Sequence, residues 1–187
     1  GIQERKQILS KPIYSLYRSM SHQIIQSMIK HQTNNGYYHV LTLPKQNSVV
    51  DICCSVFDTE QHMIDLSDIG ISPTIVPDIL GCEFEANHQI IKRFPKSFDT
   101  NWVDSTFFET VEQSHYLHQT INGVYYIPFA LFPTSNRPSG HINLGSMVDP
   151  TIHFLTKSSN KSYGAHLYIR WYKMLVIRGG QCSIMYM

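Results

Sequence analysis

The chain has 187 residues and a formal net charge of +1, and 42% of its residues are hydrophobic while 16% are charged. This length and apolar content suit one folded domain and exclude a disordered tail, and the balanced charge gives no sign of an electrostatic nucleic-acid binder. Charged residues are scarcer than the roughly 25% typical of soluble domains, which favours a surface that is partly buried against other subunits.

The N-terminal segment predicts a polar arm followed by a helix. Residues 1–12 are polar, and from Ile13 to about Gln32 apolar residues recur at steps of three and four. They are Leu16, Tyr17, Met20, Ile24, Met28 and Ile29. TNNG at 33–36 is a plausible helix stop. We therefore divide the chain into an arm with a helical segment at 1–36 and a second unit at 37–187.

Short runs rich in β-branched and aromatic residues follow Gly36 and predict strands. They lie at 37–43, 48–57, 79–86, 123–132, 141–145, 151–156, 165–172, 173–178 and 182–187. Gly81 predicts a bulge, and Pro128 predicts an edge strand or a bulge. Such short strands at intervals of about 8–12 residues are typical of an all-β sandwich or barrel.

Cysteine usage points to thiols and not to a disulfide framework. Cys53 and Cys54 are adjacent, Cys82 and Cys182 stand alone, and no C-x-x-C is present. We expect four reduced, mostly buried thiols in a reducing compartment. No secretory signal or membrane-length apolar run is visible. The missing initiator methionine is consistent with a fragment, a processed product or the ordered part of something longer.

Two short motifs suggest chemistry but fit structural roles better. GGQ at 179–181 also occurs as the catalytic tripeptide of peptide-release factors, yet here it joins two predicted strands and no basic helical domain surrounds it. We interpret its Gly-Gly pair as a tight hairpin turn. His115 and His118 have the spacing of two zinc ligands on a helix, but no third ligand is suitably spaced, so surface or packing histidines are favoured.

Ser139, within RPSGHINLG, is a third candidate. A nucleophile elbow needs G-x-S-x-G between a strand and a helix, whereas here Pro138 precedes the serine and strand-like sequence follows. His141 is too near in sequence to build a triad by itself. An anion nest of the Ser139 and Gly140 amides beside Arg137 would be incidental. We interpret the segment as a corner between two strands, with no catalytic residue.

Two strings near the end of the chain carry a family resemblance. YYIPFALFPTSNRPSGHINLGSM at 125–147 and YIRWYKMLVIRGGQCSIMYM at 168–187 resemble the end of the major capsid proteins of nucleocytoplasmic large DNA viruses. In that family an apolar strand leads to Gln-Pro-Ser-Gly and an Asn-bearing strand, and two strands end the chain. The corresponding residues here are Pro138, Ser139, Gly140, His141 and Asn143.

The version here is most similar to the African swine fever virus branch, and EANHQIIKRFPKSF at 85–98 is similar to a segment of that branch. Two departures stand beside the match. Arg137 replaces the usual Gln, and Gly145-Ser146 replaces the usual Ser-Arg. The resemblance covers about the last hundred residues and not the N-terminal third.

The resemblance implies a jelly roll of two four-stranded antiparallel sheets packed face to face. Because family members carry two rolls in tandem, it also implies that this chain is the C-terminal roll of a longer protein, or a short relative of it. The implied function is structural, with no enzymatic activity, metal or cofactor. Trimeric, pseudo-hexameric capsomers would tile an icosahedral shell in the virion after assembly in the host cytoplasm.

The implied partners are further copies of the chain, neighbouring capsomers and minor capsid or penton proteins, with neither direct nucleic-acid contact nor a membrane span. Aromatic residues in and after the predicted loop at 92–102 are our interface candidates, and plugging one end of the sandwich is the equal alternative. They are Phe94, Phe98, Trp102, Phe107 and Phe108.

Two other functions remain open at this point. A single jelly-roll module could bind carbohydrate or a receptor through an aromatic platform. The tyrosines available for it are Tyr37, Tyr38, Tyr125 and Tyr126. A cupin-like enzyme would use His115, His118 and a carboxylate as its metal ligands.

Overall fold

The computed structural model describes residues 11–33, 36–59, 79–95, 124–133, 135, 137–156 and 161–186. Its elements within these ranges are ten β-strands and a single 3-10 turn, which confirms the all-β prediction. The strands are β1 (Ile13–Ile25), β2 (Ile29–Thr33), β3 (Gly36–Thr42), β4 (Val49–Asp58), β5 (Ile79–Ala86), β6 (Gln89–Pro95), β7 (Val124–Pro128), β8 (Thr151–Thr156), β9 (Tyr163–Arg178) and β10 (Gln181–Tyr186). The 3-10 turn spans Leu144–Ser146.

The strands form two antiparallel five-stranded sheets. Sheet A has the order β1-β9-β4-β7, and β10 pairs with β9 beyond the end of β4. Sheet B has the order β2-β3-β8-β5-β6. The resemblance implied four strands in each sheet, and the N-terminal strands β1 and β2 add one to each. The predicted jelly-roll sandwich is confirmed in this five-plus-five form.

The N-terminal helix prediction is wrong. The segment that it covered forms β1 and β2, and β1 pairs with β9 without interruption from Ile13↔Ile177 to Ile25↔Ala165. Apolar residues stand on both faces of β1, and such a pattern fits a helix stripe as well as a strand that is apolar on two sides. Pairing with β9, which is remote in sequence, decides between the two structures.

The core lies between the two sheets and is built from the inward-facing residues of each strand. In β8, buried Ile152 and Phe154 alternate with half-exposed neighbours. The Phe154 ring meets that of Tyr125 edge-on, with ring centroids 5.1 Å apart. His39 of sheet B meets Tyr163 of sheet A in the same way at 4.7 Å. These contacts across the interior hold the two sheets face to face.

Three local predictions are confirmed. The pairing of β5 with β8 shifts register between Ile79 and Gly81, as expected of a bulge. Pro128 ends the edge strand β7, where a missing N–H costs least. Gly179 and Gly180 have φ of +58° and +79° and form the tight turn between β9 and β10.

Burial along β9 changes halfway. From Tyr163 to Tyr172 most side chains are buried, whereas from Lys173 to Ile177 every side chain is half-exposed, whichever face it lies on. This second half of β9, together with the N-terminal half of β1 and all of β10, extends sheet A beyond the sandwich. We call these three strand segments the extension (residues 13–18, 173–178 and 181–186).

Candidate functional site

The segment from Arg137 to Met147 is a loop with one bridge and a 3-10 turn, so the prediction of a strand at 141–145 is wrong. The bridge joins Ile142 to Val49 of β4, with both backbone N–H···O bonds at 2.8 Å. A single bridged residue satisfies one pair of backbone groups, and the chain then turns instead of continuing the ladder.

Ser139 closes the loop that precedes this bridge. Its Oγ accepts a hydrogen bond from the backbone N–H of Phe132 at 2.7 Å, and its carbonyl accepts one from Leu131 at 3.4 Å. Gly140 has φ of +140°, and a Cβ there would lie 3.1 Å from the Phe129 carbonyl oxygen. The hydroxyl is therefore engaged in holding the loop, and the glycine permits the close backbone approach.

Asn143 caps the 3-10 turn. Its Oδ1 accepts a hydrogen bond from the Ser146 N–H at 3.2 Å, and its carbonyl accepts one from the Ser146 hydroxyl at 3.0 Å. The turn inserts Leu144 into the core with no exposed surface. Pro138 and His141 are exposed on the same loop. The motif thus anchors a surface loop to the sandwich.

A buried ion pair on the outward face of sheet A was not predicted. Arg170 Nε donates to both carboxylate oxygens of Asp51, at 2.8 and 3.1 Å, and Arg170 Nη2 donates to Asp51 as well. The Tyr126 hydroxyl donates to the same carboxylate at 2.8 Å. Asp51 is only 2% exposed. The cluster joins β4, β9 and β7 by side chains in addition to the backbone ladder.

The surroundings of this cluster raise the pKa of its arginine and of its tyrosine. The hydrogen bond to Asp51 raises the pKa of Arg170 above its already high value, and burial raises the pKa of Tyr126. Burial, together with the Asp51 charge, raises the pKa of the neighbouring Cys53 thiol to about 11. These groups neither give nor take protons near neutral pH, which suits a structural role.

The cysteines divide by burial. Cys54 and Cys82 are fully buried, and burial raises the pKa of each thiol well above its ordinary value. Cys53 is half-buried and Cys182 is exposed on β10. The two core thiols thus stay protonated and pack as small apolar side chains. They are poor nucleophiles, because the thiolate is the reactive form.

A pair of histidines ties β1 to β9 on the outward face of sheet A. His22 Nε2 lies 3.1 Å from His166 Nδ1, and the His22 ring stacks on Tyr168 with centroids 4.3 Å apart. Among the described residues no group of three or more potential metal ligands occurs. His115 and His118 lie outside those residues.

The predicted aromatic interface also lies mostly outside the described part of the chain. The Phe94 backbone pairs with Cys82 in β6, and its side chain is not described. The other four residues fall in the undescribed segments, namely Phe98, Trp102, Phe107 and Phe108. The interface role of all five therefore stays a prediction.

The four tyrosines of the binding-module alternative do not form one platform. Tyr125 packs into the core against Phe154, while Tyr126 points to the opposite face and donates to Asp51. Tyr37 and Tyr38 are half-buried on another sheet, and the Lys30 ammonium lies 4.7 Å from the Tyr37 ring centroid. The sequence showed tyrosine pairs, but the alternation of a strand sends adjacent rings to opposite faces.

Comparison with solved structures identifies the fold. The PBCV-1 virus capsid model matches with a TM-score of 0.65 and 14% identity, over 100% of this chain and 55% of the other. The chain has the jelly-roll fold of viral major capsid proteins. PBCV-1 Vp54 fitted into the virophage Sputnik reconstruction gives a TM-score of 0.60 at 14% identity and the same coverage. The Faustovirus major capsid protein gives 0.56 at 11% identity, over 88% of this chain and 34% of the other.

This jelly-roll chain spans about half the length of the first structures that it matches. No protein-family model matches its sequence, and no curated protein matches it at a significant level. In the described part of the chain no helix is long and apolar enough to cross a membrane. The likeness is thus one of fold, carried by strand order and not by residue identity.

Proposed function

We propose that the chain is a structural capsid protein whose function is self-association into a virus shell. The observation that carries the proposal is the capsid jelly-roll fold over the full length of the chain. The ordered motifs at 125–147 and 168–187 support it independently, since they resemble the same class of protein in sequence. The residues of the capsid-like motif hold structure: Ser139 closes a loop, and Asn143 caps a turn.

Within this proposal the chain is the C-terminal roll of a double jelly-roll protein of the African swine fever virus-like branch. The coverage of about half of the matched capsid chains supports a partner roll of similar size. Three copies form a pseudo-hexameric capsomer, and capsomers contact one another and minor capsid or penton proteins in the virion. Assembly takes place in the host cytoplasm.

Native mass spectrometry and negative-stain electron microscopy of the complete gene product test the proposal. The expected result is a trimer with a pseudo-hexagonal outline, and shells under assembly conditions. A complete gene product that stays monomeric under all of these conditions contradicts it. The sequence upstream of Gly1 gives a second test, because a second jelly-roll strand pattern is expected there.

A further inference from the structure

The edges of the two sheets differ in how they are protected. A free edge presents unpaired N–H and C=O groups, and proteins normally block it with short strands, proline, lysine or a bulge. Edge strand β7 has five residues and ends in Pro128. Edge strand β6 ends in Pro95, carries Lys92, and shifts register against β5. Edge strand β2 has five residues and carries Lys30.

Edge strand β1 has none of these protections. It is 13 residues long, contains no proline, glycine, lysine or carboxylate, and pairs with β9 without a bulge. In the part of the chain that the structure describes, β9 is its only strand partner. Its one charged side chain is held in place, because Arg18 Nη1 donates to the Pro133 carbonyl at 2.6 Å. Within the described residues β1 is therefore a long edge whose outer backbone groups have no strand partner.

The side chains of β1 favour burial as well. Six large apolar side chains on this one strand are at least 36% exposed, and they occupy both faces of the sheet. They are Ile13, Tyr14, Leu16, Tyr17, Met20 and Ile24. Such a concentration on one edge is typical of an interaction surface and not of scattered exposed residues.

We propose that β1 pairs antiparallel with β1 of a second copy, about a two-fold axis at Ser19, so that sheet A continues from one copy into the next. The second copy is the partner that fits, since it supplies an unprotected edge of the same length. This register places Tyr14 opposite Ile24 of the other copy, so two exposed apolar side chains become cross-strand neighbours, and it places exposed Ile13 opposite the half-buried Ile25. Isologous pairing of this kind is self-complementary and closed.

The proposed contact is two-fold, whereas the capsomer of the proposed function is three-fold. The contact rests on the geometry of β1 and requires no capsid. If trimers form without it, the capsid proposal stands and this one fails. If the β1 dimer forms in a protein that never builds trimers, the reverse holds.

The register gives the test a sign. Tyr14 and Ile24, which are 60% and 55% exposed, would face each other between the copies, twice in each dimer. Tyr14→Lys with Ile24→Lys then sets like charges opposite each other, and Tyr14→Lys with Ile24→Glu sets opposite charges. At low ionic strength the dimer dissociation constant is expected to be at least about tenfold higher for the first double variant than for the second. Met185→Lys on β10, 51% exposed, is the matched control and leaves it unchanged.

Sedimentation equilibrium of the chain gives these constants, and thermal unfolding of each variant confirms that it folds. No dimer in the unmodified chain, equal dissociation constants for the two double variants, or weakening by Met185→Lys alone would each overturn the proposal.

A disulfide test checks the axis. In a Cys182→Ser background, Ser19→Cys is expected to give a covalent dimer with oxidised glutathione, because the two sulfurs face each other across the axis. Ser21→Cys, whose symmetry mates stand roughly 13 Å apart at about 3.3 Å per residue, is expected to stay monomeric. Cross-linking of Ser21→Cys and not of Ser19→Cys contradicts the register.

Discussion

Strand β9 runs through two regions of the molecule that differ in what covers them. From Tyr163 to Tyr172 sheet B and the surrounding loops bury it, and its side chains contribute to the core. From Lys173 to Ile177 it belongs to the extension, where both faces are half-exposed although four of the five residues are apolar. One strand thus carries similar residues in two environments. The environment, and not the residue type, decides how much each residue contributes to the free energy of unfolding.

A matched pair of leucines on one face of β9 makes the comparison quantitative. Leu167 is fully buried and Leu175 is half-exposed in the extension. Leu167→Ala is expected to lower the free energy of unfolding by about 3 kcal/mol, because it leaves a cavity. Leu175→Ala is expected to cost less than about 1 kcal/mol. Urea unfolding at low protein concentration measures both. Equal losses in the two variants would contradict this prediction, because they would show that Leu175 is as well buried as Leu167.

The next largest loss of stability is expected on breaking the ion pair between Asp51 and Arg170. Asp51→Ala leaves Arg170 without its carboxylate, and since the Arg170 side chain keeps 31% exposure we expect a loss of about 2 kcal/mol. Glu85→Ala is the control, because Glu85 lies 3.5 Å from His153 in a more open pair, and it is expected to cost below about 0.5 kcal/mol. Urea unfolding of both variants at pH 7 tests this; similar losses would contradict the assignment.

His39, buried on β3, makes the free energy of unfolding depend on pH. Burial, reinforced by the Lys30 charge, lowers the pKa of His39 from 6.5 to about 4. Between these values the unfolded chain binds more protons than the folded chain, so stability is lost as the pH falls. We expect about 2 kcal/mol of this loss between pH 7 and pH 4.5 to disappear in His39→Gln. Urea midpoints at the two pH values measure the difference, and an unchanged pH dependence in the variant would contradict the prediction.

The smallest expected effects concern the stability cost of substituting two glycines, Gly140 and Gly179. Gly140→Ala forces a side chain into a left-handed backbone against the Phe129 carbonyl, at a cost of about 1 kcal/mol or more. Gly179→Asn in the turn of the extension is expected to be nearly neutral, since φ there is +58°, nothing lies within 4 Å of an added Cβ, and asparagine tolerates this region. Thermal unfolding compares the two variants, and a larger loss at Gly179 would reverse the ranking.

Local signals predicted much of the fold. The strands at 79–86 and 151–156 have the predicted bounds, and the Gly-Gly turn lies where the sequence indicated. At 141–145 the alternation of Ile142 and Leu144 indicated a strand, but only Ile142 finds a partner there. Leu144 is instead carried into the core by a 3-10 turn. Alternation reports which side chains are buried and not whether a neighbouring strand is within reach.

The fold class, most strand positions, the glycine turn and the resemblance to capsid proteins follow from the amino-acid sequence alone, because these depend on local composition and on short ordered motifs. Tertiary structure decided the rest. It made β1 a strand through pairing with β9, and it joined Asp51 to Arg170 across 119 positions of sequence. Among the described strands it also left one long edge, β1, with a partner on one side only. Such features depend on contacts between distant segments, for which no local pattern is a substitute.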